Sequence, residues 1–138
     1  MMDAPPPAFH GILETVLYYD TSERERVDRF YSGVLGLKRL FRWDDGFAFR
    51  IGPGVLLAFD RELITDRDEP QARHGASGPI HACLLAPGGG YESWKAALED
   101  EGVEIDHEVD WPGGSRSFYF HDPAGNLLEI ADRDLWPR

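Results

Sequence analysis

Residues 118–132 read FYFHDPAGNLLEIAD, and residues 47–61 read FAFRIGPGVLLAFDR. Laid together without a gap, Phe47 falls on Phe118, Phe49 on Phe120, Gly54 on Gly125, and Leu56-Leu57 on Leu127-Leu128. Each stretch is an alternating aromatic run, a Gly/Pro turn and a second apolar run, the signature of a β-hairpin. Two such hairpins arise from β propensity alone. Four elements repeated in the same order do not, and the chain upstream of each hairpin repeats as well. LGLKR (35–39) resembles EGVEI (101–105) at the step from helix to strand.

Working outward, GILETVLYY (11–19) is β-rich and ends at Asp20-Thr21-Ser22, a helix-start signal. Val27, Phe30, Tyr31, Val34 and Leu35 then recur at helical spacing, and Gly36 stops the helix. Leu37–Trp43, Phe47–Ile51 and Val55–Phe59 read as strands. Residues 61–79 are polar and punctuated by Pro and Gly, and read as a linker. The order then returns: a strand at Ile80–Leu85, a helix marked by Tyr91, Trp94, Ala97 and Leu98, an alternating run at Val103–Val109, and strands at Ser115–His121 and Leu127–Ala131. The pattern predicts an α+β fold of duplicated βαβββ modules, 10–60 and 80–136, forming a curved, mixed, eight-stranded sheet in one domain spanning 10–138. Residues 1–9, with Ala4-Pro5-Pro6-Pro7, read as a flexible arm.

The totals restrict function. Asp and Glu number 25 against 14 Lys and Arg, a net charge of −11. Such a chain repels phosphate backbones and anionic membrane surfaces, so nucleic acid and membrane are excluded as partners. One cysteine, Cys83, permits no internal disulfide. No apolar run approaches the ~20 residues of a membrane span, and the N-terminus lacks the basic and apolar regions of a secretory signal. A cytoplasmic location is the expectation.

Three ionisable residues interrupt otherwise apolar strands: Glu14 in ILETVLYY, His81 in PIHACLLA and Glu129 in NLLEIA. Glu14 and His81 occupy corresponding places in the first strand of each module. Glu129 lies on Ala58 in the ungapped overlay, so the strand folds without a carboxylate, and the carboxylate points to function. Alternation lets all three face one concave side of the sheet. Burying a lone carboxylate is costly, and a divalent cation with open positions for a substrate offsets that cost.

ILETVLYYD, RFYSGVLGLKRLF, GPIHACLLA and above all SFYFHDPAGNLLEIAD resemble the vicinal oxygen chelate superfamily, which includes glyoxalase I, bleomycin resistance proteins and extradiol dioxygenases. The resemblance covers residues 11–136. It implies a curved sheet built around a divalent metal, with Glu14, His81 and Glu129 as ligands and Mn, Zn, Ni or Fe as the ion. It places Ala58, which cannot coordinate, where glyoxalase-type sites have a fourth ligand. It implies a small-molecule substrate, a homodimer, and Tyr119 as a catalytic donor beside Glu129. If Asp122 pairs with Asn126 across the turn, Tyr119 stands opposite Glu129. The function so implied is lyase, isomerase or dioxygenase chemistry on a substrate chelated through oxygens. The alternative is a non-catalytic protein that sequesters an aromatic or cationic drug-like ligand, of the bleomycin-resistance type.

Each reading has a plainer counterpart. Glu14 and Glu129 can lie on wet strand ends or pair with Arg116 or Arg50. His74, His107 and His121 read as solvated, with His74 placed to cap a pocket from the end of the linker. Cys83 reads as a small buried residue rather than a nucleophile. Trp43 and Trp111 are candidates to line a pocket.

Overall fold

A computed structural model describes residues 7–65 and 74–137. The first six residues of the arm and the middle of the linker (66–73) lie outside the described residues. The chain runs β1 (Glu14–Tyr19), a 3₁₀ turn (Thr21–Glu23), α1 (Arg24–Arg29) continued by a π turn (Phe30–Val34), β2 (Lys38–Trp43), β3 (Gly46–Ile51), β4 (Gly54–Asp60) and α2 (Arg61–Thr65). The second half repeats with β5 (His81–Leu85), α3 (Gly90–Asp100), β6 (His107–Asp110), β7 (Arg116–His121) and β8 (Leu127–Ala131). The eight strands form two mixed four-stranded sheets, ordered β1-β4-β3-β2 and β5-β8-β7-β6. In each, the first and last strands of the module pair in parallel, and the remaining pairs are antiparallel.

Local chemistry sets these boundaries. The Asp20 backbone N–H donates to Glu23 Oε1 at 2.6 Å, a helix-start interaction. Downstream, Leu35 N–H reaches back five residues to Phe30 O at 2.9 Å, the π turn, and Gly36 leaves the helix with φ +66°. The linker does not begin as irregular chain. Asp60 Oδ1 accepts the N–H groups of Glu62 and Leu63 at 2.9 and 3.1 Å, and Ile64 is fully buried, so residues 61–65 form α2.

Each sheet turns one face to a shared core. Leu17, Tyr19, Phe47, Phe49, Leu56 and Ala58 from the first sheet meet Phe118, Phe120, Leu128 and Ile130 from the second. Val27, Phe30, Tyr31 and Leu35 fill the same core from the first helix, and Tyr91 and Leu98 from α3. Alternation therefore places Val16, Tyr18, Leu57 and Phe59 on the opposite face of the first sheet, where they pack with Ile64 of α2 in a second apolar cluster, and His81, Cys83, Tyr119 and Glu129 on the open face of the second.

The pairing corrects the ungapped overlay of the two hairpins. Phe47 pairs with Ala58 and Ala48 with Leu57, whereas Phe118 pairs with Ile130 and Tyr119 with Glu129. The second turn is one residue longer relative to its flanking pairs, and a one-residue slip exchanges the faces of a strand. The counterpart of Glu129 is Leu57. Ala58 faces the core, 2% exposed, and is not a vacant ligand position. The correspondence of Glu14 with His81 holds: Thr15 pairs with Leu56 just as Ala82 pairs with Leu128, its counterpart.

Candidate metal centre

Four side chains cross the open face of the second sheet in one row, one from each strand. His107 pairs with Tyr119, Tyr119 with Glu129, and Glu129 with Cys83. The turn behind this row closes as the sequence suggests, with Asp122 N–H donating to Asn126 O at 3.0 Å. His81 lies two residues before Cys83 on the same face, and its Nε2 stands 3.1 Å from Glu129 Oε1.

Glu129 is 5% exposed, yet its Oε2 has no hydrogen-bond partner among the described residues. Neither arginine considered as its partner is engaged with it. Arg116 pairs with Glu108 at 2.9 Å and Glu92 at 3.0 Å, and Arg50 donates to Gly54 O at 3.1 Å. The electrostatics of the His81–Glu129 contact then follow from donor counting. His81 Nδ1 lies 2.9 Å from Leu127 O, and a carbonyl only accepts, so Nδ1 carries the proton. With Nδ1 protonated, Nε2 presents its remaining position to the Glu129 carboxyl group. That contact needs either a proton held between the two groups or a cation shared by them.

A divalent cation fits this pair. Two donors bonded to one ion at ~2.1 Å stand roughly 3.0–3.4 Å apart, and the observed separation is 3.1 Å. The Leu127 carbonyl orients the imidazole in the manner of an outer-shell partner of a ligating histidine. Within one chain, however, Glu14 does not join them. It is exposed at the first residue of β1, and among the described residues no three His, Cys, Asp or Glu side chains gather as a metal-holding group.

The neighbours are tuned by the same carboxylate. Burial first, then the Glu129 charge, push the Cys83 thiol up to about 12. The Tyr119 hydroxyl is raised by burial first and by Glu129 second. Both are therefore protonated donors at neutral pH. The Tyr119 ring lies between two imidazoles, with its centroid 4.6 Å from His107 at 17° and 6.0 Å from His81 at 29°. His107 is exposed, as expected, but it is stacked on the site and not simply solvated. Cross-strand pairing with Tyr119 was its signal, and that pairing depends on a β6 register the sequence pattern leaves open. His121 instead contacts Asp106, with Nδ1 2.8 Å from Oδ2, away from the row. His74 contacts the Tyr18 hydroxyl at 2.6 Å on the face of the first sheet away from the shared core. Trp111 donates to Ser117 Oγ at 2.8 Å and flanks the row.

Fold and site together define a duplicated βαβββ protein with a histidine–carboxylate pair on an open sheet face. The profile of the Glyoxalase/Bleomycin resistance protein/Dioxygenase superfamily matches residues 22–130, and the chain belongs to that superfamily. It is similar over nearly its whole length to lactoylglutathione lyase from Agrobacterium tumefaciens: 34% identity, 95% of this chain and 98% of that chain, TM-score 0.86. A glyoxalase/bleomycin resistance protein/dioxygenase from Nocardioides shares the fold at 20% identity, covering 96% and 89% of the two chains with TM-score 0.71. So does an integron cassette protein from the mobile metagenome of the Halifax Harbour sewage outfall, at 19% identity, 91% and 100% coverage, and TM-score 0.73. No curated protein sequence matches the chain. Among the described residues no helix is long and apolar enough to cross a membrane.

Proposed function

We propose that this chain is a metal-dependent enzyme acting on a small substrate that binds a divalent cation through two oxygens. The observation that carries the reading is the buried, unpartnered Oε2 of Glu129 beside an imidazole whose Nε2 already faces the same carboxyl group. His81 and Glu129 would hold the ion from one chain, and Glu14, exposed on the first sheet, would complete the set from a second copy of the chain. Bound there, a divalent cation would act as a Lewis acid toward a substrate oxygen, lowering the cost of charge developing on it.

The chain's own groups supply the rest. The Leu127 carbonyl fixes the His81 tautomer. Tyr119, kept protonated, is placed to donate to a substrate oxygen. Leu57, at the position equivalent to Glu129, brings no fourth ligand, so the site has three protein donors. Lactoylglutathione, the compound in the name of the Agrobacterium relative, is one substrate to assay. The three-donor set equally suits lyase, isomerase and dioxygenase chemistry on other oxygen-chelating substrates.

A second reading, ligand sequestration without chemistry, draws on one observation. On the first sheet, Phe41 and Trp43 are 60% and 39% exposed and stack at 5.5 Å and 8°. Such a pair also suits a planar ligand.

Metal analysis separates the two. Protein purified without chelator and reconstituted with Mn, Zn, Ni or Fe should hold about one ion per chain, and Glu129→Ala should hold almost none. Equal metal content in wild type and Glu129→Ala would overturn the enzymatic reading.

A further inference from the structure

The open face of the second sheet continues past the His81–Glu129 pair. On β5, His81, Cys83 and Leu85 alternate onto this face, and Leu85 pairs with Ala131 one step beyond Glu129 on β8. Two residues along a strand advance ~7 Å, so the carboxylate gives way to an apolar floor within one side-chain length. The chain after β8 then builds a wall over that floor. Asp132 N–H donates to Arg116 O at 3.0 Å, and Asp132 Oδ1 accepts the Arg116 N–H at 3.0 Å, which fixes where the segment leaves the sheet. Trp136 N–H donates to Asp134 Oδ1 at 2.9 Å and turns the chain. The result is a cavity of about 230 Å³ whose lining includes Cys83, Leu85, Ala131, Leu135 and Trp136. Leu85 and Trp136 remain 61% and 79% exposed.

We infer that this cavity is the specificity subsite of the centre, and that it takes a ring-sized apolar substituent of the ligand whose oxygens are held at His81 and Glu129. The inference rests on the metal-centre reading and adds the substrate class to it: a polar chelating head joined directly to one flat apolar group. Three observations point to that occupant. Cys83 lines the cavity and pairs across the sheet with Glu129, whose Oε2 is nine-tenths buried and unpartnered among the described residues, so a ligand anchored at Glu129 reaches this space past one side chain. Its lining is mostly apolar, from Leu84, Leu85, Ala131, Leu135 and Trp136, with Arg133 and Asp134 the charged members. A cavity of ~150 Å³ already accepts benzene, so this volume holds one ring and not a peptide-sized chain.

The test compares two probes on manganese-loaded protein by isothermal titration calorimetry. Acetohydroxamate and benzohydroxamate share a two-oxygen chelating head and differ by methyl against phenyl. Wild type should bind benzohydroxamate about tenfold more tightly, the scale of one well-packed aromatic contact. Trp136→Ala and Leu85→Ala, both at exposed positions, should each reduce that preference several-fold while acetohydroxamate affinity stays unchanged. Equal affinities in wild type, or a preference that survives both substitutions, overturns the subsite and leaves the metal centre standing. If neither hydroxamate binds the metal-loaded protein, the metal-centre reading falls and the subsite with it. If Trp136→Ala instead converts a dimer to a monomer in sedimentation, a second copy fills the cavity and the proposal is overturned.

Discussion

The Tyr31 hydroxyl donates to Asp122 Oδ2 at 2.6 Å, joining the first module's helix to the second module's hairpin turn. Both residues are buried. Asp122 also accepts the Ala124 and Asn126 N–H groups at 2.9 Å and the Asn126 side-chain amide at 2.8 Å. That amide reaches Tyr18 O on β1 at 3.0 Å as well. Burial first, and the Asp122 charge second, push the Tyr31 hydroxyl well above its usual value, so it remains a donor throughout the working pH range. One carboxylate thus ties helix, turn and strand together across the core that the two sheets share.

Tyr31→Phe removes a donor from this buried carboxylate and nothing else. The expected loss is about 1.5–3 kcal/mol of folding stability, the range for a hydrogen bond to a charged group. Urea unfolding should show a lower midpoint with an unchanged slope. Asp122→Ala should cost more, because it leaves Tyr31, Asn126 and two backbone N–H groups without their shared acceptor. Midpoints matching wild type for Tyr31→Phe would show that the contact is energetically idle.

Ala58→Glu and Leu57→Glu should respond oppositely to metal, although the residues are neighbours. Ala58 faces the shared core, so a carboxylate there is buried without a partner and should destabilise the fold by several kcal/mol or abolish it. Leu57 is the counterpart of Glu129 and lies on the face away from the shared core, where it is 8% exposed and packs with Tyr18, Phe59 and Ile64. A carboxylate there should also cost stability in the apo protein, but it should regain part of that stability on adding Mn or Zn. Thermal melts with and without metal check both, and metal stabilisation of Ala58→Glu would refute the register argument.

This pair of residues also marks how far the sequence is legible. Aromatic alternation, helical spacing and the punctuating glycines announce both modules, and Glu14, His81 and Glu129 stand out because charge interrupts apolar strands. Register is not announced, because the two turns differ by one residue while their flanking letters still match. The separation of Glu14 from the pair is equally hidden. Strand patterns report which face a side chain takes, not which module faces which. The stacking of His107 on Tyr119 and the wall built by Trp136 depend on cross-strand pairing and on a chain end, neither of which leaves a period.

Gly46→Ala should destabilise the first sheet. A Cβ at Gly46 would sit 2.5 Å from Ala58 O and 2.5 Å from Phe59 Cδ1, and the backbone oxygen cannot move aside. The absent side chain lets the Phe59 ring lie over the strand, where Trp43 stacks on it at 6.1 Å and 14°. A loss of ~1–3 kcal/mol is expected for this overpacking. An altered Trp43 emission should accompany it, measured against Trp43→Phe as the blank. An unchanged midpoint would mean that the hairpin shifts freely.

Cys83 should be slow to alkylate despite its exposed position. Its thiol is raised to about 12 by burial and by Glu129, so at pH 8 the reactive thiolate is scarce. Removing the charge lowers that value toward the ordinary thiol range, and each unit lowered raises the thiolate fraction about tenfold. Iodoacetamide labelling followed by mass spectrometry should therefore be faster in Glu129→Gln than in wild type at pH 8. Manganese should accelerate wild type too if the ion neutralises the same carboxylate. Equal rates in both proteins would disconnect Cys83 from Glu129.

The strongest prediction concerns two defective chains mixed. Glu14 lies exposed on one sheet, and the His81–Glu129 pair lies on the other, with no three-donor group inside a single chain among the described residues. In the proposed reading, a two-fold pair of copies would bring Glu14 of each to the pair of the other, giving two equivalent sites. Glu14→Ala alone and Glu129→Ala alone should each lose tight metal binding. In a mixed dimer, one site carries both lesions and the other carries neither. Random exchange of subunits makes about half the dimers mixed, so the mixture should recover about one quarter of the wild-type metal content. Mixing after mild unfolding, followed by metal analysis of the dimer fraction, measures this directly. If Glu14 joined the pair within its own chain, every site in the mixture would carry a lesion, and recovery would be nil.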